Sequence, residues 1–228
     1  MHDLPRPHPR WRLFGAFGLA VCAGSLGALA WKASVGMEWS ASTVVWGLLA
    51  AALGLSGADF VSGVFHFLAD RFGHERVPVL GPNVIAPFRL HHEDPTAMTL
   101  HGVAETNGDN ALIQLPLVLP LALFAAPAEG STARFFVLAT AVAFFGGVLV
   151  TNQIHKWAHA AEVPGWVAWM QRRRLILSPG VHARHHRTHD RAYCITTGWC
   201  NALLDRFGVL TAIDRAMRSV VPSTWIER

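Results

Sequence analysis

The chain has 228 residues, of which 52% are hydrophobic and 15% charged. A soluble domain carries about a quarter charged residues, so this balance excludes an ordinary water-soluble globule and points to lipid. A formal net charge of +4 identifies no partner, and no nucleic-acid ligand is expected. Cys22, Cys194 and Cys200 are too few and too scattered for a disulfide framework or a CxxC zinc site.

Residues 1–12 are polar and rich in Pro and Arg, and read as a mobile cytoplasmic N-terminus ahead of a single membrane domain over 13–228. Leu13 to Ala30 is apolar apart from Ser25, long enough to cross a hydrocarbon core of about 30 Å. Arg10 and Arg12 before an apolar run also fit a signal peptide, but the run exceeds a usual h-region and a second span follows closely. That second span is Thr43 to Phe67, which turns polar at Asp59, Ser62 and His66. Leu112 to Pro127 reads as the third, with Pro116 and Pro120 inside it, and Arg134 to Ile154 as the fourth. Residues 164–177 carry Trp166 and Trp169 and then Arg172, Arg173 and Arg174, the pattern of a helix lying in the interface. The expected fold is therefore an all-α integral membrane protein of about four transmembrane helices plus interfacial helices. With those spans one side receives only Lys32 and Arg134 of the 19 basic residues, so both termini and the long 68–111 loop are expected in the cytoplasm of an inner membrane.

Setting aside His2, His8 and His74, the other ten of the 13 His all fall in the segments assigned to the cytoplasmic side. His155 and His159 stand at i and i+4, which sets both on one face of a helix, one turn apart. His182, His185 and His186 stand at i, i+3 and i+4, again one face with an extra neighbour. His66 and Asp70 repeat the relation at the end of the second span, and His91, His92 and His101 lie in the loop. Each pair can hold one metal, and several converging pairs can hold two. Imidazole suits zinc, copper, iron and nickel, and eight or more His exceed a single zinc site of three or four ligands. Soluble di-iron proteins rely on Glu, which is scarce near these boxes, so His must supply the ligands here. A His-rich pair of irons at a membrane surface suits oxygen activation. A metal transporter is the competing class, but its polar ligands would lie near the bilayer midplane. A zinc hydrolase would need a general base beside its His, as in HExxH, and none is present.

The strings HHEDPTAMTLHGVAETNGDN at 91–110, TNQIHKWAH at 151–159 and HARHHRTHDRAYCITTGW at 182–199 resemble the Kua-type plasmanylethanolamine desaturases, a family with bacterial members and plant plastid relatives. The resemblance runs over residues 57–210. It implies a substrate, a 1-O-alkyl ether phospholipid desaturated beside its ether oxygen to a vinyl ether. It also implies O2 as oxidant, two Fe ions, and a separate electron donor of the cytochrome b5 or ferredoxin kind. His66, His91, His92, His155, His159, His182, His185 and His186 are assigned as metal ligands. Asp70 either orients a ligand or binds metal directly. Asn107, Asp109 and Asn152 stand beside the boxes, where they complete the surroundings or hold a metal-bound water; Asp109 or Asn110 is alternatively the cap that starts the third span. His101 and His189 are possible extra or supporting ligands; the plant relatives lack His at both positions. Arg172 to Arg174 read as head-group contacts or topology anchors.

Overall fold

A computed structural model of the chain describes residues 9–78 and 81–226. Most of them are helical, and the described residues form no strand beyond one isolated antiparallel bridge, Phe72 with Ile226. Contacts divide the chain into two compact units, one of His8–Ala58 with Val103–Asn152 and the other built chiefly of Asp59–Gly102 with Gln153–Arg228.

The first is a helical unit. It holds α1 (Pro9–Ser34), residues 41–58 of α2 (Ala41–Arg71), α4 (Val103–Phe124) and residues 132–152 of α5 (Thr132–His159). Ser40 starts α2 by accepting the Thr43 N–H on its hydroxyl at 3.2 Å, the usual way an unpaired first-turn donor is satisfied. Cys22, Leu29, Val118, Phe135 and Leu138 form the buried core. Leu13, Phe17, Leu48, Leu53, Leu117 and Val137 are all more than half exposed, an apolar surface that suits lipid and not water. At the end of α1, Lys32 Nζ donates to the carbonyls of Leu123 and Ala125 at 3.2 and 2.8 Å, and so satisfies acceptors that the end of α4 leaves open.

Helices in lipid associate by close packing of small residues. Gly54 lies where a Cβ would meet the Thr140 carbonyl oxygen at 2.5 Å and Ala143 Cβ at 2.6 Å. Backbone cannot yield as a side-chain tip can, so Gly54→Ala is expected to force α2 from α5 and destabilise the protein by about 1–3 kcal/mol. Thermal unfolding in detergent measures this; an unchanged midpoint would mean the two helices are not in close contact there.

Among the described residues, three helices are long and apolar enough to cross a membrane: Trp11–Ser34, Ala41–Arg71 and Thr132–His159. The helix expected over 112–127 instead begins at Val103, nine residues earlier, and ends at Phe124. Its added first turns are polar, and α4 is not among those three helices. Those turns are stabilised by tertiary pairing: Trp11 Nε1 donates to Asp109 at 2.8 Å and Arg12 pairs with Glu105 at 2.9 Å. Asp109 and Asn110 are thus inside α4 and do not cap it; Asn110 donates to the Val148 carbonyl at 3.0 Å. At the N-terminus α1 includes residues 9–12; residues 1–8 of the expected mobile terminus, with His2 and His8, lie outside the described residues.

The second unit contains residues 59–71 of α2, α3 (Ala86–Glu93), residues 153–159 of α5, α6 (Gly165–Arg172), α7 (Pro179–Thr188), α8 (Asn201–Arg206) and α9 (Val209–Val220). The helix expected over 164–177 is α6 and stops at Arg172, because the chain then turns tightly: Arg174 adopts a left-handed conformation (φ 56°) and the Leu175 N–H returns to the Met170 carbonyl. Two small apolar cores hold the unit, one around Ile154, Val167, Leu177 and Ile195, the other around Phe67, Phe72, Tyr193 and Leu210.

Candidate metal centre

The site grows from a buried carboxylate. Asp59 is fully buried in α2, where a charge needs strong partners. Its Oδ1 accepts the backbone N–H groups of Thr196, Thr197 and Gly198 at 3.2, 2.7 and 2.8 Å, and its Oδ2 accepts that of Cys200 at 2.9 Å. One turn on, Ser62 Oγ accepts the Ile195 N–H at 3.1 Å. Asn201 closes the loop from its other end, accepting the Cys194 N–H at 2.8 Å and donating to the Cys194 carbonyl at 3.2 Å. The loop 193–200 is thereby fixed against α2, and the carbonyl of Tyr193 comes to His66.

That carbonyl sets a tautomer. A carbonyl only accepts, so His66 Nδ1, 3.1 Å from Tyr193 O, carries the hydrogen and Nε2 keeps its lone pair. The same device recurs twice. His185 Nδ1 donates to the Arg191 carbonyl at 3.0 Å, and His91 Nδ1 donates to the Phe88 carbonyl. In each case a backbone oxygen fixes one ring nitrogen and aims the other inward.

The inward nitrogens form two groups, whose ligand atoms lie within 4.8 Å of one another in each. One comprises His91, His155, His159, His182 and His186; the other comprises His66, His91, His92 and His185. In the first, His182 Nε2 is 2.8 Å from those of His155 and His159 and 3.0 Å from that of His186, with His155 and His159 at 3.2 Å. Metal–nitrogen bonds of about 2.1 Å let two nitrogens on one ion stand no more than about 4.2 Å apart, so these separations allow the rings to share an ion. In the second group, Asp70 Oδ2 lies 2.9 Å from His92 Nε2, 3.3 Å from His66 Nε2 and 3.4 Å from His185 Nε2. His66 Nε2 and His91 Nε2 are buried and make no hydrogen bond, an expensive condition that a cation removes. The donor set fits metal ions, and its nitrogen-rich character is that of iron, copper, nickel or zinc.

The protonation states agree. Burial, with neighbouring imidazoles in support, holds His91 and His182 well below the usual range and brings His186 down to about 3. These rings are neutral near pH 7, the form that binds metal. Tyr193 is pushed up to about 12, first by burial and then by the charge of Asp70; its hydroxyl stays protonated and donates to the His189 carbonyl at 2.6 Å.

All eight His assigned as ligands fall in these groups, with Asp70 against the second. His101 and His189 fall in neither. The carbonyl of His101 receives Lys156 Nζ, and His189 closes α7 in a left-handed conformation with Nε2 donating to the His186 carbonyl at 2.8 Å. Its ring remains 4.7 Å from that of His92. His74 accepts the Arg76 N–H and stands apart. Asn107 and Asn152 belong to the helical unit, where Asn107 donates to the Val103 carbonyl at 3.0 Å. Sequence reasoning missed the three orienting carbonyls and the role of the loop behind them; the signals it did contain were the string CITTGW and a buried Asp59 that needed partners.

Comparison with known proteins bears on this geometry. The model of the lipid desaturase domain family matches residues 55–224, which include both groups. Plasmanylethanolamine desaturase of Myxococcus xanthus is 44% identical over 159 residues, covering 68% of this chain and 55% of that protein. Plasmanylethanolamine desaturase 1 of Mus musculus is 40% identical over 171 residues, with coverages of 72% and 61%. The chloroplastic fatty acid desaturase 4 of Arabidopsis thaliana is 35% identical over 188 residues, with coverages of 78% and 55%. The chain thus spans between 55% and 61% of the length of these curated relatives. No solved structure matches it. With three quarters of its length inside the family match, and with long apolar helices and a histidine cluster, the chain belongs to the lipid desaturase domain family.

Proposed function

We propose that this chain is a plasmanylethanolamine desaturase, which converts a 1-O-alkyl ether phospholipid to the vinyl ether of a plasmalogen. The convergence of eight imidazoles and one carboxylate into two adjoining groups carries the reading. The names of the bacterial and mouse relatives supply the substrate class. The C–H bonds beside the ether oxygen are removed one from each of two carbons, and O2 with two electrons and two protons leaves as two waters.

Two iron ions, one in each group, supply the oxygen-activating chemistry when bound. His155, His159, His182 and His186 hold one, His66, His92 and His185 the other, and His91 is within reach of both. Asp70 takes a place in the second group as ligand or as acceptor for its rings. Asn107 and Asn152 assist as polar neighbours of the site, and His101 and His189 support it from outside. The carbonyls of Tyr193, Phe88 and Arg191 keep three ligands in the productive tautomer. Position of the alkyl chain does most of the selection. Residues 13–228 act as one desaturase domain with α4 as a fourth span, and both termini and the ligand groups face the cytoplasm of the inner membrane, as the distribution of Lys and Arg favours. The electrons come from a separate cytochrome b5-like or ferredoxin-like protein.

Expression in a host without plasmalogens, fed an alkylglycerol, tests this. Acid-labile vinyl ether lipid detected by mass spectrometry with wild type, and absent with His186→Ala, is the expected result. Iron-loaded protein that forms no vinyl ether but desaturates or hydroxylates acyl chains would overturn the substrate assignment.

A further inference from the structure

We propose that the outer face of α7 is the docking surface for an acidic, water-soluble one-electron carrier protein. The proposal rests on the oxygen-dependent desaturase reading, in which each turnover draws two electrons from outside the chain, so that two reduced carriers each lose one. α7 presents two faces. Its inner side carries His182, His185 and His186, and its outer side carries the exposed Arg184 and Arg187 at i and i+3. The helix Pro179–Thr188 contains no acidic residue, and neither Arg184 nor Arg187 stands in a described ion pair, although the Asp205 carboxylate acts on Arg184 at longer range. Arg191, just beyond, is already paired with Asp190 at 2.9 Å. His186 is only half-buried, so a metal-binding ring reaches the surface beside Arg187. A carrier seated there is separated from the centre by one imidazole.

Charge alone would also suit anionic lipid, but the outer face of α7 lacks the means to enter a membrane. Its exposed positions besides the two Arg are Pro179, Gly180, Ala183 and Thr188, with no aromatic or large aliphatic side chain. The segment around α6 has what α7 lacks: Trp166 and Trp169, exposed by 58% and 48%, stand next to Arg172, Arg173 and Arg174. Aromatic anchors with basic residues mark a lipid interface, whereas exposed cations without anchors suit a hydrated, acidic protein surface.

The test is direct binding of an acidic [2Fe–2S] ferredoxin to the full chain in discs of zwitterionic lipid, at low and at raised salt. Wild type is expected to bind and to weaken as salt rises. Arg184→Glu with Arg187→Glu is expected to weaken binding at low salt by about tenfold or more and to remove most of the salt dependence, with Arg184→Gln and Arg187→Gln between the two. Equal binding by wild type and the Glu variant overturns the proposal, as does absence of ferredoxin binding by wild type. A Glu variant whose only defect is lost retention of anionic lipid assigns the face to the membrane instead. If ferredoxin binds as expected while no vinyl ether forms under any reductant, the substrate reading fails and the docking surface stands.

Discussion

His91→Ala is expected to lower vinyl ether formation by more than about 100-fold, since loss of a mere supporting partner already costs 10–100-fold in metal affinity or activity. Among the ligand residues His91 alone belongs to both groups, its Nε2 is buried and without a hydrogen bond, and its Nδ1 is held by the Phe88 carbonyl. Its ring lies 4.9 Å from that of His155 in one group and 4.2 Å from that of His92 in the other. Truncation therefore removes a ligand and opens the space between the groups at once. Metal content should fall below that of His159→Ala, where a single group is touched. Product formation by a vinyl ether assay, with metal analysis of the same preparation, checks both. Near-normal activity in His91→Ala would show that the ring packs between the groups without serving either.

Asp59→Ala should be the most damaging change away from the metal. Four backbone N–H groups would lose their acceptor in a buried place, and uncompensated donors cost about 1–3 kcal/mol each before relaxation. A net loss of about 3–5 kcal/mol is expected, a large part of the 5–15 kcal/mol that holds a domain together. The effect reaches the metal because the same loop presents the Tyr193 carbonyl to His66 Nδ1. Asp59→Asn is isosteric and keeps an oxygen for the three donors to Oδ1, so it should recover much of the stability. Thermal unfolding in detergent and metal retention are the measurements. Should Asp59→Ala unfold at the wild-type midpoint and keep its metal, the loop would owe its place to other contacts.

The sequence was most legible where periodicity or apolar length carried the signal. The runs that became α1, α2 and α5 are long and apolar enough to be read directly. The start of α4 was misread because local capping logic favoured Asp109 or Asn110, while its earlier polar turns are stabilised by Trp11 and Arg12, which lie about a hundred residues away in sequence. The histidine boxes were visible in their i, i+3 and i+4 spacing. Their sorting into two groups was not, because it depends on how α3, α5 and α7 meet the end of α2. Nor were the orienting carbonyls of Phe88, Arg191 and Tyr193, since backbone groups leave no mark in composition. His101 and His189 show the converse: residue type and neighbourhood matched a ligand, but neither falls in the two groups.

Metal count is the most direct test of the central claim, that the histidines form two adjoining ion sites. The chain, produced in iron-supplied cells and purified without chelators, is analysed for metals and by Mössbauer spectroscopy. About two irons per chain, with spectra of two nitrogen-rich sites, is the predicted result. One ion per chain at saturation, or a single retained zinc, would contradict it.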